Sequence, residues 1–206
     1  MLSIAVFASG RGSNFRALAD AITKKNLDAK IVVVISNNSD AGALALARSF
    51  HIPALHLSQK QFPSQDAFTE AILSVLRSHG VDFIVLAGYM KKIDPTIIRQ
   101  YRNRIINVHP ALLPAFGGQG MYGHYVHEAV IAERVQRSGA TVHLVDEEFD
   151  RGPIVLQESI PVEKNDTPET LAEKVLTIEH RILPRAVEMF AGEKISIENG
   201  KVIHHD

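Results

Sequence analysis

Short apolar runs of strand length alternate with longer stretches whose apolar residues recur at helical spacing, and this rhythm constrains the fold more than anything else in the chain. The runs Ile4–Ala8, Ile31–Ile35, Ala54–Leu57, Phe83–Ala87 and Ile105–Val108 are apolar at nearly every position. Strands of that kind are buried on both faces rather than on one. Between them, Asn14–Lys24, Ala41–Phe50, Asp66–His79 and the shorter Pro95–Tyr101 read as helices. A β-α-β-α succession predicts an α/β fold, a doubly wound and mainly parallel sheet.

Past residue 110 the pattern changes. A glycine-rich loop, Gly117–Gly123, leads to a predicted helix over Val126–Gln136. Two strands follow, Ala140–Val145 and Ile154–Val162, and their short connection predicts an antiparallel extension of the sheet. Thr167 and Pro168 read as an N-cap with proline at the first helical position, opening a long helix toward Phe190. Pro184 is expected to kink or break it. Asn199-Gly200 between two short runs predicts a small hairpin over Lys194–His205. With no internal repeat, low-complexity tract or linker, residues 1–206 read as a single domain.

Composition excludes several classes of chemistry. With no cysteine there is no disulfide, thiol nucleophile or thiolate metal site, and a reducing compartment fits. A formal net charge of −1 favours neither nucleic acid nor an anionic membrane, so an anionic substrate must be held by local groups. The apolar runs are far too short to span a bilayer, and no basic and hydrophobic leader precedes the first strand. The expectation is a cytoplasmic protein.

The first strand runs into Ser9-Gly10-Arg11-Gly12-Ser13-Asn14 and then a helix. Glycines let backbone N–H groups approach an anion, and a helix N-terminus adds a favourable dipole. Gly12, Ser13 and Asn14 are therefore candidates for holding a phosphate. A dinucleotide would also want an acidic ribose reader after the second strand, where this chain has Ser36-Asn37-Asn38, so a single phosphate is favoured. The plain alternative is a tight turn with Ser13 or Asn14 as the N-cap.

Asn107-Val108-His109-Pro110 carries the strongest chemical signal. Residues two apart on a strand face the same side, and Pro110 biases His109 toward extended backbone. An amide donor beside a titratable imidazole suits a carbonyl carbon passing through an oxyanion, which predicts acyl transfer. In the acidic turn Asp146–Pro153, Asp150 is the residue placed to pair with His109 and raise its pKa, because Gly152 and Pro153 fix the backbone just after it. The alternative is a solvated surface turn.

The remaining histidines carry less. His124 and His127, with Glu128, have ligand-like spacing at a helix start, but a zinc site wants a third protein ligand, and His143 could supply one only through the fold. No metal is expected. His51, His56 and His79 read as surface or loop residues. Glu179, before His180 on the long helix, could face a polyol or make an exposed helical pair.

Taken together, these residues resemble the phosphoribosylglycinamide formyltransferase family over essentially the whole chain. The resemblance rests on Gly10-x-Gly12-Ser13-Asn14, Leu86-Ala87-Gly88-Tyr89-Met90, Asn107-Val108-His109-Pro110 with Leu112-Leu113-Pro114, Thr141-Val142-His143, Asp150-x-Gly152-Pro153 and Glu179-His180. It implies transfer of a formyl group from 10-formyltetrahydrofolate, a co-substrate, to the amine of 5′-phosphoribosylglycinamide in purine synthesis. By position, Asn107, His109 and Asp150 would be catalytic, with protonated His109 and Asn107 on the oxyanion and Asp150 supporting a water-mediated proton shift. Gly12, Ser13 and Asn14 would hold the phosphate and Glu179 the ribose. Met90, Lys91, Lys92, Ile93 and Asn107 would line the folate slot. On this reading residues 1–100 form the phosphate-binding half and 101–206 the folate and catalytic half. The partners are small molecules, and the protein is a monomer or homodimer.

Three departures from the family pattern stand out. Gln65 replaces a frequent arginine near the folate tail, Leu183 replaces a frequent tyrosine after Glu-His, and the loop 116–125 is longer and richer in glycine, which suits a lid. Other formyl-handling relatives share the Asn-x-His-Pro core. A methionyl-tRNA formyltransferase should add a basic domain, a formyltetrahydrofolate hydrolase usually adds an N-terminal regulatory domain, and a sugar-nucleotide formyltransferase binds a larger nucleotide. From other classes come a non-catalytic nucleotide-binding module and a metal hydrolase built on His124 and His127.

Overall fold

The structure is a computed structural model that describes residues 1–25 and 27–205. The chain divides into two compact units, Met1–Ile106 and Asn107–Asp206. The alternation read from the sequence is realised as an α/β fold with a mostly parallel sheet.

In the first unit, β1 (Leu2–Phe7) pairs in parallel with both β2 (Ala29–Ser36) and β4 (Phe83–Leu86), and β2 pairs in parallel with β3 (Ala54–His56). The strand order is therefore β3-β2-β1-β4, the outward-winding half of a doubly wound sheet. Between the strands run α1 (Ser13–Lys25), α2 (Gly42–Ser49), α3 (Gln65–Ser78) and α4 (Pro95–Gln100). Ile4, Val6, Phe7, Val33, Ile35 and Ile84 are fully buried, which is why these strands are apolar at successive rather than alternate positions. Ser64 caps α3 through the Ala67 N–H, and Asp94 caps α4, with Pro95 at its first position.

Strand β5 (Ile105–His109) begins in the first unit and ends in the second, where the order continues β5-β6-β7. Strands β6 (Arg137–Leu144) and β7 (Ile154–Pro161) are antiparallel, as their short connection required. Helix α5 (His124–Ala132) and the 24-residue α6 (Pro168–Ala191) complete this unit, and β8 (Ile195–Glu198) and β9 (Lys201–His204) form the terminal hairpin. Asn199 and Gly200 both have positive φ at its turn, the backbone that a two-residue hairpin demands.

Three boundaries depart from expectation. Helix α5 stops at Ala132 rather than Gln136, because Arg134 takes a left-handed backbone (φ +52°) that no helix continues through. Strand β6 begins three residues before Ala140. Gly139 sits inside it, at a close approach of the two strands where a Cβ would lie 2.0 Å from the Glu158 carbonyl oxygen. Helix α6 runs unbroken through Pro184, which is buried with Ile182, Leu183 and Ala186. Tertiary packing over that face outweighs the local preference for a break.

Candidate active site

The loop after β1 lies wholly in the first unit. Ala8 donates its N–H to the Ile35 carbonyl and Ser9 its N–H to the Gly88 carbonyl, so the chain leaves the sheet between the ends of β2 and β4. The Ser9 hydroxyl donates to Asn37 Oδ1 at 2.5 Å and accepts the Met90 N–H at 2.8 Å, tying three strand ends together. Gly12 has φ +84°, and a Cβ on it would lie 2.8 Å from Ala43 Cα, so only glycine fits. Its carbonyl accepts the Arg16 N–H, which makes Gly12 the residue before the helix and Ser13 the first residue within it. Neither Ser13 nor Asn14 is therefore the N-cap of a simple turn. Amides of a first helical turn have no intrahelical acceptor and, with the helix dipole, form a ready anion site. Ser13 is half-buried and Asn14 is buried at this turn.

Beyond β4, Gly88 takes φ +77° and the segment turns outward. Met90, Lys91 and Lys92 are exposed there, whereas Ile93 is buried. Tyr89 stacks edge-on against Phe7 at 5.3 Å, and burial pushes its hydroxyl up to about 12. Gln65 donates to Asp94 Oδ2 at 3.2 Å and to the Thr69 hydroxyl at 3.3 Å, so it joins the starts of α3 and α4.

The chemical groups converge in the second unit. Asn107 and His109 sit two residues apart at the end of β5, and His109 is 3% exposed. Its Nε2 lies 2.8 Å from the Phe116 carbonyl oxygen. A carbonyl only accepts, so Nε2 carries the hydrogen and the neutral ring keeps its lone pair on Nδ1. Nδ1 lies 3.7 Å from Asp150 Oδ2, too long for a hydrogen bond but close enough for strong Coulombic coupling. Asp150 also accepts the Gly118 N–H at 2.9 Å. Its backbone is left-handed (φ +56°), a conformation that aspartate tolerates better than most residues. The geometry of this turn depends on Gly152, where a Cβ would lie 1.9 Å from the Leu144 carbonyl oxygen. Asp150 is thus a partner of the histidine and not a solvated turn charge.

Electrostatics here run partly against expectation. Burial dominates at His109 and lowers its pKa below the usual histidine value; Asp150 and the Phe116 carbonyl pull it upward without overcoming that loss of solvation. The expected raised pKa is therefore corrected, and the free protein holds a neutral imidazole at neutral pH. Asp150 shows the opposite balance. Burial opposes its ionisation, but contact with His143, the nearby His109 and the Gly118 N–H outweigh burial and hold its carboxyl below the ordinary range.

His143 is the residue that sequence reasoning underrated. The sequence offers it as a third metal ligand and as part of a family motif without a role, whereas the structure sets it on β6 with Nε2 3.1 Å from Asn107 Nδ2 and 3.5 Å from Asp150 Oδ1. The only signal for it was the alternation Thr141-Val142-His143, which points Thr141 and His143 to one side. Thr141 is engaged as well: its hydroxyl donates to the Ala111 carbonyl at 2.6 Å and accepts the Leu113 N–H at 3.1 Å, bracing the turn after His109.

The remaining candidates separate. Glu179 is buried on α6, which removes the exposed helical pair as its role. His124 Nε2 lies 3.1 Å from Glu128 and 3.8 Å from Glu169 at half-exposed positions, while His127 is 5% exposed and its Nδ1 has no hydrogen-bond partner. Among the described residues no three His, Asp or Glu side chains form a cluster suited to a metal ion, and no helix is long and apolar enough to cross a membrane.

Known proteins carry the same architecture. A family model described as formyl transferase matches residues 2–187. The phosphoribosylglycinamide formyltransferase of Bacillus subtilis is 38% identical over 192 residues, covering 93% of this chain and 96% of that protein. The chloroplastic phosphoribosylglycinamide formyltransferase of Arabidopsis thaliana is 42% identical over 193 residues, and this chain spans 66% of its length. Among solved structures, glycinamide ribonucleotide transformylase 1 from Symbiobacterium toebii superposes with a TM-score of 0.94 at 38% identity, covering 100% of this chain and 95% of that one.

Proposed function

This chain belongs to the formyl transferase family, among the phosphoribosylglycinamide formyltransferases, and from that premise we propose that it moves a formyl group from 10-formyltetrahydrofolate to the amine of 5′-phosphoribosylglycinamide. The observation that carries the reading is the chain of contacts that links Asn107 through His143 to Asp150, at 3.1 and 3.5 Å, and Asp150 to His109, at 3.7 Å.

The amine nitrogen attacks the formyl carbon, and the carbonyl electron pair moves to oxygen. Asn107 supplies an N–H to that oxygen; one such donor is typically worth about 2.7–4 kcal/mol of barrier. The nitrogen is now cationic and must lose a proton. A neutral His109, unprotonated on Nδ1, suits that acceptance, directly or through one water. The imidazolium so formed faces Asp150 and adds positive charge beside the oxyanion. As the carbonyl re-forms, the bond to the folate nitrogen breaks and that nitrogen takes the proton held by His109, directly or through the same water, which returns the imidazole to its neutral form. The products are the formylated amide and tetrahydrofolate, with atoms and charge in balance. Burial thus serves the reaction by keeping His109 a base until the amine has added, in place of the preformed acid that pairing with Asp150 alone would give.

The phosphate would be taken by the amides and hydroxyl of Gly12, Ser13 and Asn14, and the ribose by Glu179. Met90, Lys91, Lys92 and Ile93, with Asn107, would line the folate slot, of which Met90, Lys91 and Lys92 offer exposed apolar and cationic surface. Both partners are small molecules, and the compartment is the cytoplasm. The test is direct: purified protein given both substrates should release tetrahydrofolate and formylated ribonucleotide in equal amounts, and neither when the amine acceptor is omitted. Release of formate and tetrahydrofolate without acceptor would instead favour a hydrolase.

A further inference from the structure

We propose that His143 is a positioning residue whose ring, held in one tautomer, fixes which atom of the Asn107 amide is presented to the reacting carbonyl. The inference rests on the reading of Asn107 as an oxyanion donor.

An asparagine amide is nearly symmetric in shape, so the backbone alone does not decide whether its NH2 or its oxygen faces a given point. The wrong orientation would aim a carbonyl oxygen at a developing negative charge. Something must break the symmetry, and His143 does so in two steps. Its Nδ1 lies 2.8 Å from the Leu144 carbonyl oxygen. That oxygen can only accept, so Nδ1 carries the hydrogen. In the neutral ring Nε2 is then an acceptor, and it lies 3.1 Å from the Asn107 side-chain nitrogen. Only the NH2 group satisfies that contact. One of its hydrogens is used on His143, and the planar geometry of the amide fixes the direction of the other.

Surrounding structure holds the ring in place. His143 is 2% exposed, so water offers it no alternative partner. The β6–β7 register shifts between Val142 and His143, where the strand delivers this side chain. The Leu144 carbonyl is itself confined, since Leu144 donates its N–H to the Pro153 carbonyl at 2.9 Å and its oxygen packs against Gly152 where no Cβ would fit. The glycine that shapes the Asp150 turn thus also protects the carbonyl that sets the His143 tautomer. Asp150 Oδ1 is the competing neighbour of Nε2, at 3.5 Å, and it is the protonated ring, with a hydrogen on both nitrogens, whose contact lowers the Asp150 carboxyl. A hydrogen shifted to Nε2 would satisfy Asp150 and turn the Asn107 oxygen toward the ring, removing the donor from its task.

Two measurements decide the matter. In wild-type protein carrying 15N-labelled histidine and asparagine, the neutral His143 ring should show hydrogen on Nδ1, with a through-hydrogen-bond coupling between its Nε2 and Asn107 Nδ2. A neutral ring protonated on Nε2 would overturn the proposal. In kinetics, His143→Phe keeps a buried ring but removes the acceptor, and kcat should fall about 10- to 100-fold with both KM values within about threefold. Because His143 acts through Asn107, the double variant with Asn107→Ala should be about as slow as Asn107→Ala alone; effects that multiply would overturn the proposal. His143→Gln, which can return an acceptor oxygen, should recover most of the loss, and no recovery in a folded variant would also overturn it. If His143→Phe does not fold, the spectrum and the glutamine variant still decide. Absence of formyl transfer in wild-type protein would sink the functional reading instead, and the spectrum would still report the tautomer.

Discussion

The loop after β1 and the cluster around His109 are both polar sites built at strand ends, but they use different materials. The loop works through its backbone: a glycine at φ +84° fits against Ala43, and the amides of a helix start follow it. The cluster works through side chains whose partners are one another, at 3.1–3.7 Å and largely out of water. A backbone site tolerates side-chain change and binds a fixed charge. A side-chain cluster shifts pKa values and moves protons, and it fails when any member is lost. Substitutions should therefore divide, with affinity lost in the loop and turnover lost in the cluster.

The largest effect should come from His109→Ala. Removing the proton acceptor should lower kcat by about 1,000-fold, within the range for general acid–base groups, and change the ribonucleotide KM by less than about threefold. A defect mainly in KM would break the division between the two regions. Asp150→Asn comes next, at about 100-fold in kcat, and it also tests the sign of the coupling. Asp150 pulls the His109 pKa upward against burial. Without that charge only the Phe116 carbonyl still opposes burial, so the pKa falls further. Activity that needs neutral His109 is lost as pH drops through that value, so the acid limb of kcat against pH should move to lower pH. A limb that stays put or moves upward would dissociate the two residues.

Much of this was legible in the chain because the strands are buried on both faces. Ile4–Ala8 and Phe83–Ala87 could hardly be anything else, and β5 was read to within one residue. Asn107 and His109 were legible because period two is a local property. Asp150 could be singled out only through Gly152 and Pro153, since nothing in sequence spacing brings β7's approach back to β5. His143 was harder still. Its role depends on β6 lying next to β5 and on the tautomer set by the following carbonyl, and neither is a local property. The His109 pKa was misread for the same reason: a carboxylate neighbour can be guessed from sequence, whereas the desolvation that outweighs it is the sum of everything packed around the ring.

The first unit yields a smaller, selective effect. Ser13→Ala removes one hydroxyl donor from the loop and leaves its backbone intact. A hydrogen bond to a charged group contributes about 1.5–3 kcal/mol; at the lower end of that range the KM for the ribonucleotide should rise about 10-fold, and at the upper end about 100-fold, with kcat little changed. A dephosphorylated acceptor analogue should bind wild type and variant alike. Equal weakening of both ligands would show that Ser13 holds the fold rather than the phosphate.

The smallest effect concerns stability, and it sharpens the same contrast. The three histidines whose pKa burial lowers, His109, His127 and His180, all lie in the second unit. For His127, burial leads, with the nearby His124 and His109 adding to it, and the value falls from 6.5 to about 4. The folded state therefore refuses a proton that the unfolded chain accepts. Stability is fully present above pH 6.5 and is lost as pH falls from there toward 4, by roughly 3 kcal/mol at most for this residue. His127→Leu fills the same buried position without a titrating group. Urea midpoints measured at pH 7 and pH 4.5 should converge in this variant relative to wild type. If the gap between the two midpoints is unchanged, the acid sensitivity belongs to His109 or His180, and the cluster rather than α5 sets the lower pH limit of the fold.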